Sequence, residues 1–114
     1  MLRRALAALP FVMLVLACAS PTLPLPPPET PTIGPGPDAN HVQLSDPCGG
    51  ADNDAVIIVV NANPNVSNAN AVSGTRADGC GAWQVAVYAH KGDVLEVTQQ
   101  SGANLSQTLE VMVP

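Results

Sequence analysis

The side chains able to do chemistry in this 114-residue sequence are few. Asp52-Asn53-Asp54 is its densest acidic cluster, with Asp78 and Asp93 as further carboxylates that a fold can bring near. Calcium takes several hard oxygen ligands, so Asp52 and Asp54 are the candidate cation ligands, and calcium-dependent adhesion is one reading of them. The trio lacks the fixed ligand spacing of an EF-hand loop, and a solvated turn capped by Asx side chains is the competing reading. His41 and His90 stand alone in the sequence, and no serine or cysteine nucleophile sits in a recognisable motif beside either. They are expected at exposed strand ends. Paired carboxylates for glycoside hydrolysis need a cleft, and a domain this small without long loops has little room for one. The expectation is a non-enzyme with no cofactor. Trp83, of one parity with Val85 and Val87, reads as core, whereas Tyr88 points the other way.

Thiol chemistry is the more specific signal. There are three cysteines, Cys18, Cys48 and Cys80, and an odd number in an exported chain needs an explanation. Val15-Leu16-Ala17-Cys18 closes an apolar run and resembles the lipobox of bacterial lipoproteins. The resemblance implies cleavage before Cys18, a diacylglycerol thioether on its sulfur and an acylated, palmitate-type amine. Conventional cleavage after Ala17 or Ala19 is the alternative. Two or three acyl chains make an effectively permanent anchor, at about 0.8 kcal/mol per buried methylene. Ala19 follows the cysteine where Gram-negative members retained in the inner membrane tend to carry aspartate, which implies the outer membrane in a Gram-negative source. With Cys18 lipidated, Cys48 and Cys80 remain as an even pair in an oxidising compartment, and a disulfide is expected over two free thiols. Closing a loop of about 33 residues stabilises by roughly 3–4 kcal/mol in the chain-entropy model. Zinc would find too few ligands, because no Cys-x-x-Cys occurs and the histidines are isolated.

The flanking composition supports export. Arg3 and Arg4 precede an apolar stretch at residues 5–16, shorter than the roughly 20 residues of a membrane-spanning helix. Residues 1–17 are therefore expected to be a cleaved signal peptide. From Cys18 onward two basic residues, Arg76 and Lys91, face nine acidic ones, a formal net charge of −7. That surface repels nucleic acid and anionic headgroups, which leaves covalent lipid as the expected route to the membrane.

These groups need elements to hold them. Residues 21–37 contain eight prolines and no apolar period. Residues 18–40 are read as the lipidated cysteine and a disordered or polyproline II tether, reaching on the order of 60 Å for 20 residues. The domain is placed at residues 41–114. Residues 55–61 are β-branched and apolar on both faces, as in a central strand. Residues 61–73 are asparagine-rich and read as a loop, an edge strand or both. Alternation at residues 82–90, 94–99 and 106–113, divided by Gly/Asp/Asn turns, predicts three antiparallel strands of a sandwich. No segment carries a helical pattern.

Asp78-Gly79, Trp83-x-Val85, Gly92-Asp93-x-Leu95-x-Val97-Thr98, Gly102, Ser106 and Val111-x-Val113-Pro114 resemble, in that order, the C-terminal half of bacterial immunoglobulin-like modules. Carboxypeptidase regulatory-like domains share much of the pattern. Residues 77–114 carry the match, and 55–76 match poorly. The resemblance implies an all-β, immunoglobulin-like antiparallel sandwich, and it says little about function. The resulting expectation is an envelope-anchored, non-enzymatic binding or structural module with an envelope protein or glycan as partner. The alternative from another class resembles the disulfide-bonded lysozyme-inhibitor lipoproteins, acting through an exposed loop such as residues 61–76.

Overall fold

Alternating short apolar residues and tight turns build two antiparallel sheets in a computed structural model that describes residues 24–114. The expected signal peptide at residues 1–17 and the lipidation site Cys18 lie outside the described residues.

The first sheet contains β1 (Thr32–Pro35), β2 (His41–Asp46) and β5 (Trp83–Tyr88), in the order β1-β2-β5. The second contains β3 (Val56–Asn61), β4 (Val72–Arg76), β6 (Val94–Ser101), β7 (Asn104–Leu105) and β8 (Leu109–Met112). In it β3 lies between β4 and β6, and both β7 and β8 pair with the far side of β6. The chain is thus all-β and sandwich-like, as expected. Among the described residues the one helical element is the single turn α1 (Asn68–Ala71), which leads into β4 and buries nothing.

The strands alternate because only one face of each is covered. Leu44, Trp83, Val85 and Val87 from the first sheet meet Ile57, Val59, Leu95, Val97 and Val111 from the second. The inward parity expected for residues 83–87, 95–97 and 109–113 is the observed one. The expected central strand at residues 55–61 is β3, with Ile57 and Val59 fully buried and Ile58 and Val60 half-covered on its other face.

The domain boundary falls elsewhere than the composition suggests. β1 lies inside the segment read as tether and pairs with β2 from Thr32↔Ser45 to Pro35↔Val42. Proline lacks the N–H a central strand needs, and β1 accommodates Pro35 because it is an edge strand. Residues upstream are held too: Leu25 bridges Ser106, and Pro28 and Pro31 are buried. Residues 24–31 therefore lie along the sandwich as a strap rather than as a free spacer.

Candidate functional site

The two ends of the sandwich bear different chemistry. At the first end, β2 finishes at Asp46 and β5 begins at Trp83, its register partner. Between them the chain makes two facing loops, residues 47–51 and 78–82. The Cys48–Cys80 disulfide joins these loops, as the cysteine count implied, with Cα atoms 4.9 Å apart. The backbones reinforce it: Gly49 N–H donates to Cys80 O at 2.7 Å, and Ala51 N–H to Gly81 O at 3.0 Å. Gly81 has φ of +83°, and a Cβ there would strike the Ala51 carbonyl, so this crossing requires glycine.

Asp46 is drawn into the interior by this arrangement. It shares parity with Val42 and Leu44 on β2, and Gly50 packs directly against its Cβ and carboxyl. The residue is 8% exposed, and its Oδ2 has no hydrogen-bond partner. Loss of hydration pushes its pKa up to about 6, the Glu29 carboxylate adds to the rise, and the nearby Trp83 indole N–H opposes it. Trp83 Nε1 is also buried without a partner in hydrogen-bonding geometry.

These two residues line a cleft of about 380 Å³ at the seam where the edges of β4 and β5 meet. Thr75, Arg76 and Gln84 also line it, and Arg76 and Gln84 are exposed. Both unpaired atoms are themselves shielded from solvent, so a partner in the cleft meets the exposed side chains of Arg76 and Gln84. Each unpaired buried polar group costs about 1–3 kcal/mol.

The acidic residues considered for calcium are not assembled into a ligand set. Asp52 offers its backbone N–H to Gln99 Oε1 at 2.8 Å, and Asp54, at φ of +60°, donates its N–H to Asp78 O at 3.0 Å. Asp78 Oδ1 accepts the N–H groups of Cys80 and Ala82, both at 3.0 Å, and so stabilises its own turn. Asp93 lies at the other end of β3. Among the described residues, no three His, Cys, Asp or Glu side chains converge in a way that could hold a metal ion.

At the second end Asp93 is structural. Its carboxylate accepts Asn61 Nδ2 at 3.0 Å, Asn63 Nδ2 at 2.9 Å and the His90 N–H at 2.9 Å. Asn61 also donates to Tyr88 O at 3.0 Å, which ties the two sheets together. These bonds, Asn61 foremost and then His90 N–H, hold the Asp93 carboxyl below the ordinary carboxylate range.

The isolated histidines meet at this end. Register places His41 opposite Tyr88, and His90 lies two residues beyond. The His41 and His90 rings approach the Tyr88 ring edge-on, with centroids 5.7 and 5.3 Å away. His41 Nδ1 lies 2.7 Å from Asp38 Oδ1, and His90 Nε2 lies 3.0 Å from Asn40 Oδ1. The His41 bond, then the Asn40 N–H, lowers the Asp38 pKa. Both imidazoles are thus engaged by amide or carboxylate oxygens rather than by a hydroxyl or thiol.

Sequence spacing alone gives no sign of this trio, because His41 and Tyr88 meet only through the β2–β5 register. For Asp46 there was a signal in its parity with Val42 and Leu44. Arg76 carried none. No known protein family, curated protein or solved structure matches this chain.

Proposed function

We propose that this chain is a lipoprotein of the bacterial cell envelope, anchored through Cys18, that presents a non-enzymatic β-sandwich as a binding module. The observation that carries the reading is the fate of the cysteines. Cys48 and Cys80 are consumed by one disulfide, so Cys18, in its lipobox-like setting, is the single thiol left over. A structural disulfide also suits an oxidising compartment outside the cytoplasm. The non-enzymatic part rests on how the reactive groups are used. The disulfide holds two sulfurs, and the imidazoles bond to Asp38 and Asn40. Of the described surfaces, the seam cleft of Asp46, Trp83 and Arg76 best suits a polar partner such as an envelope glycan or protein loop.

Mass spectrometry of the processed N-terminus tests the anchor. The expected product begins at Cys18 and carries the mass of a diacylglycerol thioether, and Cys18→Ala releases the protein from membranes. An unmodified N-terminal residue overturns the reading.

A further inference from the structure

The strap changes what lipid anchorage at Cys18 would mean, and this inference rests on that anchorage. Three backbone contacts hold it: Pro26 O accepts Gln99 Nε2 at 2.9 Å, Leu25 O accepts Gln107 N–H at 3.4 Å, and Glu29 N–H donates to Gly50 O at 2.8 Å. Gln99 is 2% exposed, and its amide oxygen takes the Asp52 N–H while its amide nitrogen takes the strap. Its backbone N–H donates to Ser106 Oγ at 2.9 Å. One buried side chain therefore clips the strap to the loop before β3, and its own backbone N–H ties it to Ser106.

Strap and edge run in the same direction at the Leu25–Ser106 bridge, so the step from Leu25 back to Pro24 heads toward Leu105. From Pro24 to Cys18 is six residues, which span at most about 20 Å even when fully extended. That is a third of the reach of a free proline tether. The surface at this exit carries no charge, a property it shares with residues 55–75, the longest run without an ionisable side chain in the domain. Residues 97–109, which include the β6–β7 arm, have no ionisable side chain, and neither do residues 24–28. Leu105 on the arm is 59% exposed. Glu96 and Glu110 flank this run, Glu29 follows on the strap, and Asp52 lies in the loop that Gln99 binds.

We infer that the anchored domain lies against the headgroup surface of its own membrane, with the uncharged β6–β7 arm and Leu105 toward the lipid. A short leash selects the arm over the equally uncharged residues 55–75, and the absence of charge spares it the desolvation and repulsion that the carboxylate-bearing surfaces of this domain would meet. The cleft opens at the opposite edge of the second sheet, beside β4, and stays accessible.

The test starts from the processed chain beginning at Cys18, with its disulfide formed, in which Cys18 is the single free thiol. Coupling it to a maleimide-headgroup lipid in phosphatidylcholine vesicles attaches the domain independently of any cellular lipidation. A failure here is thereby distinguishable from an unmodified Cys18 in cells. Hydrogen exchange at residues 100–106 is expected to slow at least several-fold on coupling, with residues 72–76 unchanged. Inserting twelve Gly/Ser residues between Cys18 and Pro24 leaves the domain intact and should abolish that protection. Equal exchange in coupled and free protein, or protection that survives the longer leash, overturns the inference.

Discussion

A carboxyl group taken out of water resists ionisation, and Asp46 does so inside the structure rather than at its surface. Its folded pKa, about 6, lies above the ordinary value of 3.8, so the native state binds this proton more tightly than the unfolded chain does. The sign follows. The contribution to stability is fully present below the unfolded value and is lost as pH rises through about 6. The shift corresponds to a penalty on the order of 2–3 kcal/mol at neutral pH. Urea midpoints should therefore rise between pH 7.5 and 5, and Asp46→Asn should be more stable than the parent at pH 7.5 with that rise flattened. Equal midpoints for the two proteins at pH 7.5 would count against a desolvated carboxylate. Asp93 behaves oppositely. Its pKa is depressed, so its contribution persists at neutral pH and fades only as pH falls below the ordinary carboxylate range. Asp93→Ala leaves Asn61 Nδ2 and the His90 N–H short of an acceptor and should cost about 2 kcal/mol or more in urea unfolding at pH 7. A loss under about 0.5 kcal/mol would mark the network as ornamental.

At the level of elements, the strands legible in the sequence were those whose parity is enforced by the core. β5, β6 and β8 alternate cleanly because one face packs against the other sheet and the other does not. β3 showed itself as an apolar run because it lies between two neighbours. β1 and β4 gave weak signals for a shared reason: each is an edge strand, where Pro35 and Gly74 cost little and fewer apolar residues are required. β2 alternates over only Val42, Leu44 and Asp46, and closing that short run on a carboxylate makes the strand signal weak. The loops at the first end follow a different logic, since covalent chemistry positions them. The disulfide closes about 33 residues, including β3 and β4, and replacing both cysteines with serine should lower stability by about 3–4 kcal/mol. Because Gly50 packs on Asp46 from the same loop, the double variant should also lose part of the rise in stability toward pH 5. A variant unfolding with the parent's urea midpoint would show that backbone hydrogen bonds alone suffice there.

Taken as one body, the sandwich is fastened at both ends by polar groups rather than by apolar packing alone. Asn61 and Asp93 secure the second end, while the disulfide, Gln99 and the strap secure the first. The strap was illegible in sequence because its contacts are made by backbone carbonyls, which leave no residue signature, and because a proline run without periodicity reads as linker. Gln99 shares the inward parity of Leu95 and Val97, but its partners, the strap and the loop before β3, leave no trace in the sequence. This makes the position of the domain boundary a physical question. A chain beginning at residue 41, where the composition changes, lacks β1 and the strap. It exposes the outer edge of β2 and leaves Gln99 Nε2 without its acceptor. An unpaired buried amide costs about 1–3 kcal/mol, and the lost cover over the core adds to it. Residues 41–114 should therefore unfold at least about 2 kcal/mol more easily than residues 24–114 and self-associate through the opened β2 edge. Gln99→Ala in the longer chain should reproduce part of the loss without the association. If the two chains share one urea midpoint and both stay monomeric, residues 24–40 are a spacer after all, and the short leash drawn from them disappears with the strap.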